Sequence, residues 1–241
     1  MFEDLKDKKI LIVGASQGIG KNLTTTLAQL GAHVYIASRN IEKLEVIAKD
    51  CGPNVTPHQL DILDEQSYIA LNNVSPLDGV CIVSGVLKLI PPKLLNKKLI
   101  DDQLAINLGA PLGLIGYLLK KNLIKDQSSI IFTSSVGRHS QASSSAPYAA
   151  AKMGLLGATK SLAADLSKRK IRVNCVSFDY VETEMTSKID TSSFTAGIVG
   201  VSPIEYTATP YCFLLSNRSK WITSQIVAAD AGRMLTKSRY V

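Results

Sequence analysis

The 241-residue sequence has one tryptophan, three histidines, four cysteines and no CxxC pair. Cys51, Cys81, Cys175 and Cys212 lie far apart, and Cys81 and Cys175 stand inside apolar runs; free thiols in a reducing compartment are expected, and no metal site. No apolar run approaches the roughly 18 residues of a membrane helix. Acids at Glu3 and Asp4 stand where a secretory signal carries bases, so a cytoplasmic chain without a membrane partner is expected. Neither a Pro/Gly/Ser-rich linker nor a solenoid-length repeat divides it, which points to one domain over 1–241. Positive charge is in excess, at +7, yet it is scattered in clusters such as Lys97-Lys98 and Lys168-Arg169-Lys170. With no basic stripe interleaved with aromatics, a phosphate-bearing cofactor or an acidic carrier protein fits this charge better than nucleic acid.

What is present is an alternation of short apolar runs and longer helical patterns. Runs at 10–13, 34–37, 55–60, 79–83, 129–133, 171–176 and 226–228 read as strands. Most are apolar throughout, as strands are when helices cover both faces of a parallel sheet. The expected fold is α/β: a doubly wound, Rossmann-type sheet of about seven parallel strands.

Between the first strand and the first helix lies Val13-Gly14-Ala15-Ser16-Gln17-Gly18-Ile19-Gly20. Glycines there allow a tight turn whose backbone N–H groups and helix dipole face a phosphate. Gly14 to Gly18 also matches G-x-S-x-G, the nucleophile elbow of an α/β hydrolase. That reading needs a histidine late in the chain, whereas the three are His33, His58 and His139. After the second strand, Ser38-Arg39 offers no acid for a ribose 2′-hydroxyl and does offer a guanidinium for a 2′-phosphate, so NADP(H) is favoured over NAD(H). Asp61, after the third strand, is placed either to accept from the adenine amino group or to cap a helix near Asp64.

Tyr148 and Lys152 stand one turn apart near the start of a helical pattern over 148–169. Lowering a phenol by about three pKa units takes about 4 kcal/mol. One ammonium about 5 Å away, at an effective dielectric near 20, supplies about 3 kcal/mol of it. Ser135, at the end of the fifth strand, is placed to hold a substrate oxygen beside that phenol, with Ser134 a competitor.

Taken together, Gly14-x3-Gly18-x-Gly20, Asp61, Asn107, Ser135 and Tyr148-x3-Lys152 resemble the short-chain dehydrogenase/reductase family over nearly the whole chain, and the ending resembles its 3-oxoacyl-carrier-protein reductase group. The resemblance implies an NADP(H)-dependent interconversion of carbonyl and secondary alcohol. Tyr148 would be the general acid/base, Lys152 would lower its pKa and bind the nicotinamide ribose, Ser135 would orient the substrate, and Asn107 would hold a relay water. It further implies cofactor contacts from Gly14, Ser16, Gln17, Gly18, Ile19 and Gly20, from Ser38 and Arg39, from Asp61 and Ile62, from Gly85, and from Val181 and Thr183. A homo-oligomer, tetramer or dimer, built on helices near 101–121 and 148–169 is implied as well.

Three features depart from the family pattern. Ile82-Val83-Ser84-Gly85 replaces Asn-Asn-Ala-Gly, Phe178-Asp179 replaces Pro-Gly, and the segment after Met185 is short. Phe178-Asp179 is expected to bring a bulky ring and a charge to the nicotinamide pocket, where an acid would suit a sugar-like or polyhydroxylated substrate. The departures also motivate a reading of another class, a non-catalytic nucleotide-binding scaffold. The stretch 184–202 is expected to form a mobile substrate loop or an ordinary surface excursion. Arg138, His139 and Ser143 to Ser145 are expected at the pocket entrance.

Overall fold

A computed structural model describes residues 2–136, 143–181, 183–184 and 202–232. Seven strands form one parallel sheet: β1 (Lys9–Val13), β2 (His33–Ser38), β3 (Val55–Gln59), β4 (Leu77–Ile82), β5 (Ile124–Ser135), β6 (Arg172–Phe178) and β7 (Ile226–Ala229). Their order is β3-β2-β1-β4-β5-β6-β7. The order reverses between β1 and β4, and the crevice beyond the carboxyl ends of strands at such a reversal is where α/β sheets bind ligands.

Alternate residues of each central strand feed opposite faces, which is why the strands carry no polar face. Leu11, Val13, Ile130, Phe132 and Val173 pack with α4 (Ala110–Lys120) and α5 (Ala146–Asp165). Ile10, Ile12, Ile131 and Val176 pack with α1 (Gly18–Gln29), α2 (Ile41–Cys51) and α6 (Ala208–Leu215). Before α4, α3 (Lys97–Leu104) runs into a π-helical turn at Ala105–Gly109. Such turns are rare and gather at functional sites.

The seven expected strands are all present, with altered ends. β5 begins five residues early because Asp126, Gln127 and Ser128 hide its start; Gln127 takes φ +63°, and the register with β4 shifts between Leu77 and Gly79. β6 extends to Phe178 by pairing Ser177 and Phe178 with Ser134 and Ser135. Pro57 is tolerated because β3 lies at the sheet edge. α5 begins at Ala146, two residues before Tyr148, with Pro147 in its first turn, and a separate 3-10 turn, Ser167–Arg169, follows it. The expected substrate loop lies outside the described residues except for its ends, Glu184 and Ser202, as do Arg138 and His139.

Candidate active site

One cavity of about 700 Å³ opens at the carboxyl edge of the sheet and reaches from Arg39 to Tyr148. Its first half is made by the glycine turn. Gly14 and Gly18 take φ +93° and +53°, conformations that favour glycine. At Gly20 a Cβ would meet Ala15 Cα at 2.8 Å and the Gly14 carbonyl carbon at 2.9 Å, so only glycine lets the turn fold back on itself. Gln17 precedes α1 without a side-chain cap, which leaves backbone N–H groups of the first turn to the cavity. Ser16, Gln17 and Ile19 line it here. These features fit a dinucleotide pyrophosphate.

At the far end of this half, exposed Arg39 lines the cavity together with Ser38 and with Lys43 from the first turn of α2. Asn40 caps that helix, its Oδ1 accepting from Lys43 N–H at 2.7 Å. Asp61 and Ile62, after the neighbouring strand β3, line the cavity too. Asp61 Oδ1 accepts from Leu63 N–H at 3.0 Å, while Asp64, not Asp61, caps the 3-10 turn that follows.

The second half of the cavity carries Ser135, Tyr148 and Lys152. Ser134 and Ser135 separate cleanly: buried Ser134 donates to the Lys152 carbonyl at 2.9 Å, and Ser135 is the half-buried residue at the strand end. Lys152 is 5% exposed, its Nζ donates to the Thr133 carbonyl at 3.0 Å, and it stands 5.8 Å from the Tyr148 ring centre. Burial pulls the Lys152 ammonium down to about 8, partly offset by the Cys175 thiol. Burial pushes the Tyr148 phenol up to about 12, and the neighbouring Tyr180 adds to it. The protein's own groups therefore hold Tyr148 as a neutral phenol, opposite in direction to the lowering expected from Lys152 alone. Desolvation is the reason, since it disfavours both charged forms.

Asn107 sits at the π-helical turn, fully buried. Its amide donates to the carbonyls of Val86 and Gln103, each at 3.0 Å, and its Oδ1 accepts from Val86 N–H at 3.0 Å. Gly85 fits between Asn107 and Lys152: a Cβ there would lie 2.9 Å from Asn107 Oδ1 and 3.0 Å from Lys152 Nζ. Val181 pairs with Ser202, and the Thr183 methyl would stand 3.3 Å from a Cβ at Gly18, so the chain after β6 folds over the glycine turn.

Residues 14–233 match the family model described as Enoyl-(Acyl carrier protein) reductase. The chain belongs to the short-chain dehydrogenase/reductase family. It is an oxidoreductase acting on carbonyl and alcohol groups. It is 31% identical over 239 residues to the 3-oxoacyl-[acyl-carrier-protein] reductase of Rickettsia conorii, covering 96% of this chain and 99% of that one. Against the L-xylulose reductase of Mus musculus it is 30% identical over 242 residues, covering 96% and 98%. The 3-ketoacyl-(acyl-carrier-protein) reductase from Brucella melitensis, solved in complex with NADH, shares the fold with a TM-score of 0.87 at 23% identity, over 95% of this chain and 99% of that one.

Two departures of this short-chain dehydrogenase/reductase now have a structural account. Phe178 lines the cavity, but its ring is largely buried: the residue is 4% exposed and stacks on Tyr211 at 5.8 Å, on the α6 side of the sheet. Alternation along β6 turns the ring there, and Asp179 lines the cavity beside it. In the other segment, Ile82 is core, and the N–H groups of Val83 and Ser84 both donate to Val13 O, at 2.9 and 3.0 Å. Main-chain bonds thus hold the segment at the end of β1.

Sequence reasoning missed Lys43, Tyr180 and Gln103. The signal for Lys43 was its place three residues after the capping Asn40. Tyr180 follows the noticed Phe178-Asp179, and nothing in the linear pattern marks Gln103.

Proposed function

We propose that this chain reduces a carbonyl to a secondary alcohol with NADPH, and that its substrate is a 3-oxoacyl thioester of the kind the Rickettsia relative's name describes. The observation that carries the reading is the single cavity joining Arg39 and Lys43, the glycine turn, and Ser135, Tyr148 and Lys152. The nicotinamide supplies the hydride. Arg39 and Lys43 hold the 2′-phosphate, the glycine turn holds the pyrophosphate, and Asp61, Ile62 and Gly85 bound the adenosine side. Val181 and Thr183 meet the carboxamide. Ser135 donates to the substrate oxygen, and Tyr148 gives its proton to that oxygen as negative charge develops there. A phenol held neutral by burial is the form that direction requires. Lys152 binds the nicotinamide ribose and returns a proton toward Tyr148. For Asn107, whose amide protons are both engaged, a relay water would be held through oxygen acceptors.

Asp179 in the cavity favours a second reading, reduction of a hydroxylated carbonyl compound, the chemistry named for the mouse relative. Assays of NADPH consumption with a 3-oxoacyl thioester and with a ketose decide between them. Turnover of the thioester that survives Asp179→Ala supports the first reading. Turnover of the ketose alone, lost in Asp179→Ala, replaces it with the second. No turnover of either by a protein that binds NADPH would sink both. The chain is further proposed to act as one domain and as a homo-oligomer. Gly154 packs on Leu108 of its own chain, whereas Gly116 and Gly157 face open space on α4 and α5.

A further inference from the structure

One wall of the cavity is held by side chains standing in for a strand. Val86 and Leu87 line the cavity in the segment that leaves β4. Its first N–H groups, at Val83 and Ser84, donate to Val13 O of β1, and from Val86 on side chains serve its main-chain groups. Val86 N–H donates to Asn107 Oδ1 at 3.0 Å, Val86 C=O accepts from Asn107 Nδ2 at 3.0 Å, and Lys88 N–H donates to Gln103 Oε1 at 3.4 Å. In extended chain the polar groups of residues i and i+2 share one edge. Asn107 and Gln103, one helical turn apart, therefore satisfy an edge as a neighbouring strand would, with Asn107 Nδ2 tied to the Gln103 carbonyl at 3.0 Å. Farther on, Ile90 N–H donates to Ser144 O at 2.6 Å, four residues before Tyr148. The segment is thus anchored to the α3 side at one end and to the approach to α5 at the other.

We propose that Gln103 is a positioning residue: by accepting from Lys88 N–H it fixes the strap 86–90, and through it the wall against which substrate binds beside Tyr148. Gln103 is 4% exposed and touches no reacting group, so a buried glutamine here has a specific task rather than a solvated one. For substrate binding this rests on the reductase reading; for the ordering of the strap it does not.

The test uses the full chain with Gln103→Met, which keeps length and apolar volume and removes the acceptor, and Gln103→Glu, which restores an acceptor. Hydrogen exchange of the 86–90 amides is followed by mass spectrometry, and kcat and KM for the carbonyl substrate are measured in parallel. Gln103→Met is expected to speed exchange at 86–90 and raise KM, each by about fivefold, with kcat within about twofold. Gln103→Glu is expected to lie closer to the native protein in both. Native-like exchange in Gln103→Met would overturn the proposal, as would a Glu variant no better than Met, or an equal fall in kcat and kcat/KM. If no carbonyl substrate is turned over by the native protein, the reductase reading fails while the exchange comparison still decides the strap.

Discussion

Lys152 places its ammonium 5.8 Å from the centre of the Tyr148 ring while donating to the Thr133 carbonyl at 3.0 Å, and burial moves the two groups apart on the pH scale. The ammonium falls to about 8 and the phenol rises to about 12. Because the folded pKa of Lys152 lies below its unfolded value, its charged form destabilises the native state fully below about pH 8, and this is relieved as pH climbs toward 10.5. Tyr148 acts in the other sense: its neutral phenol contributes stability below pH 10 that is lost as pH rises toward 12.

The pH prediction follows from those values. In protein labelled with 13C at the lysine ε carbon, the signal that vanishes in Lys152→Arg should titrate near pH 8, with kcat/KM for reduction falling over the same range. Titration of that signal above pH 10 would show that Lys152 is solvated and the burial account wrong.

Replacing the phenol tests the proton donor. Tyr148→Phe keeps the ring and the packing, so NADPH affinity should stay within about twofold while turnover falls by about 100- to 10,000-fold. Stopped-flow binding beside steady-state rates separates the two effects.

Cofactor choice should reside in two cations. Arg39→Ala should weaken NADPH binding by about tenfold or more and leave NADH affinity nearly unchanged, and Lys43→Ala should do the same to a smaller degree. Fluorescence titration reads both constants. Equal loss for the two nucleotides would place Arg39 away from the 2′-phosphate.

At Gly20 the constraint is steric. A Cβ would press on the main chain of Gly14 and Ala15, which cannot yield as a side-chain tip does. Gly20→Ala should cost about 1 to 3 kcal/mol of stability, read as a lower urea midpoint at unchanged m, and should weaken nucleotide binding as well.

The fold was legible because a strand covered on both faces has an apolar signature that survives in one dimension, as Lys9–Val13 and Ile130 to Thr133 illustrate. It failed where polarity interrupts a strand, at Asp126 to Ser128, and where pairing with β5 carried β6 on to Phe178. The glycine turn and the Tyr148-Lys152 pair are local, so their spacing along the chain already states their geometry. Gln103 was not legible, because it reaches the cavity wall through an element whose placement no local spacing encodes, whereas Lys43, three residues after the capping Asn40, and Tyr180, beside Phe178-Asp179, had local signals that went unread.

The sequence by itself determined the alternation of strands and helices, the glycine turn before the first helix, the cation after the second strand and the pairing of phenol with ammonium, all of which depend on residues within a few positions of one another. Tertiary structure alone decided that Ser134 donates to the Lys152 carbonyl, which way the Phe178 ring points, and that Asn107 and Gln103 grip the strap. It also decided the protonation balance of Tyr148 and Lys152. The physical reason is that desolvation and hydrogen bonding depend on what surrounds a group in three dimensions, and those neighbours come from segments far apart in the chain.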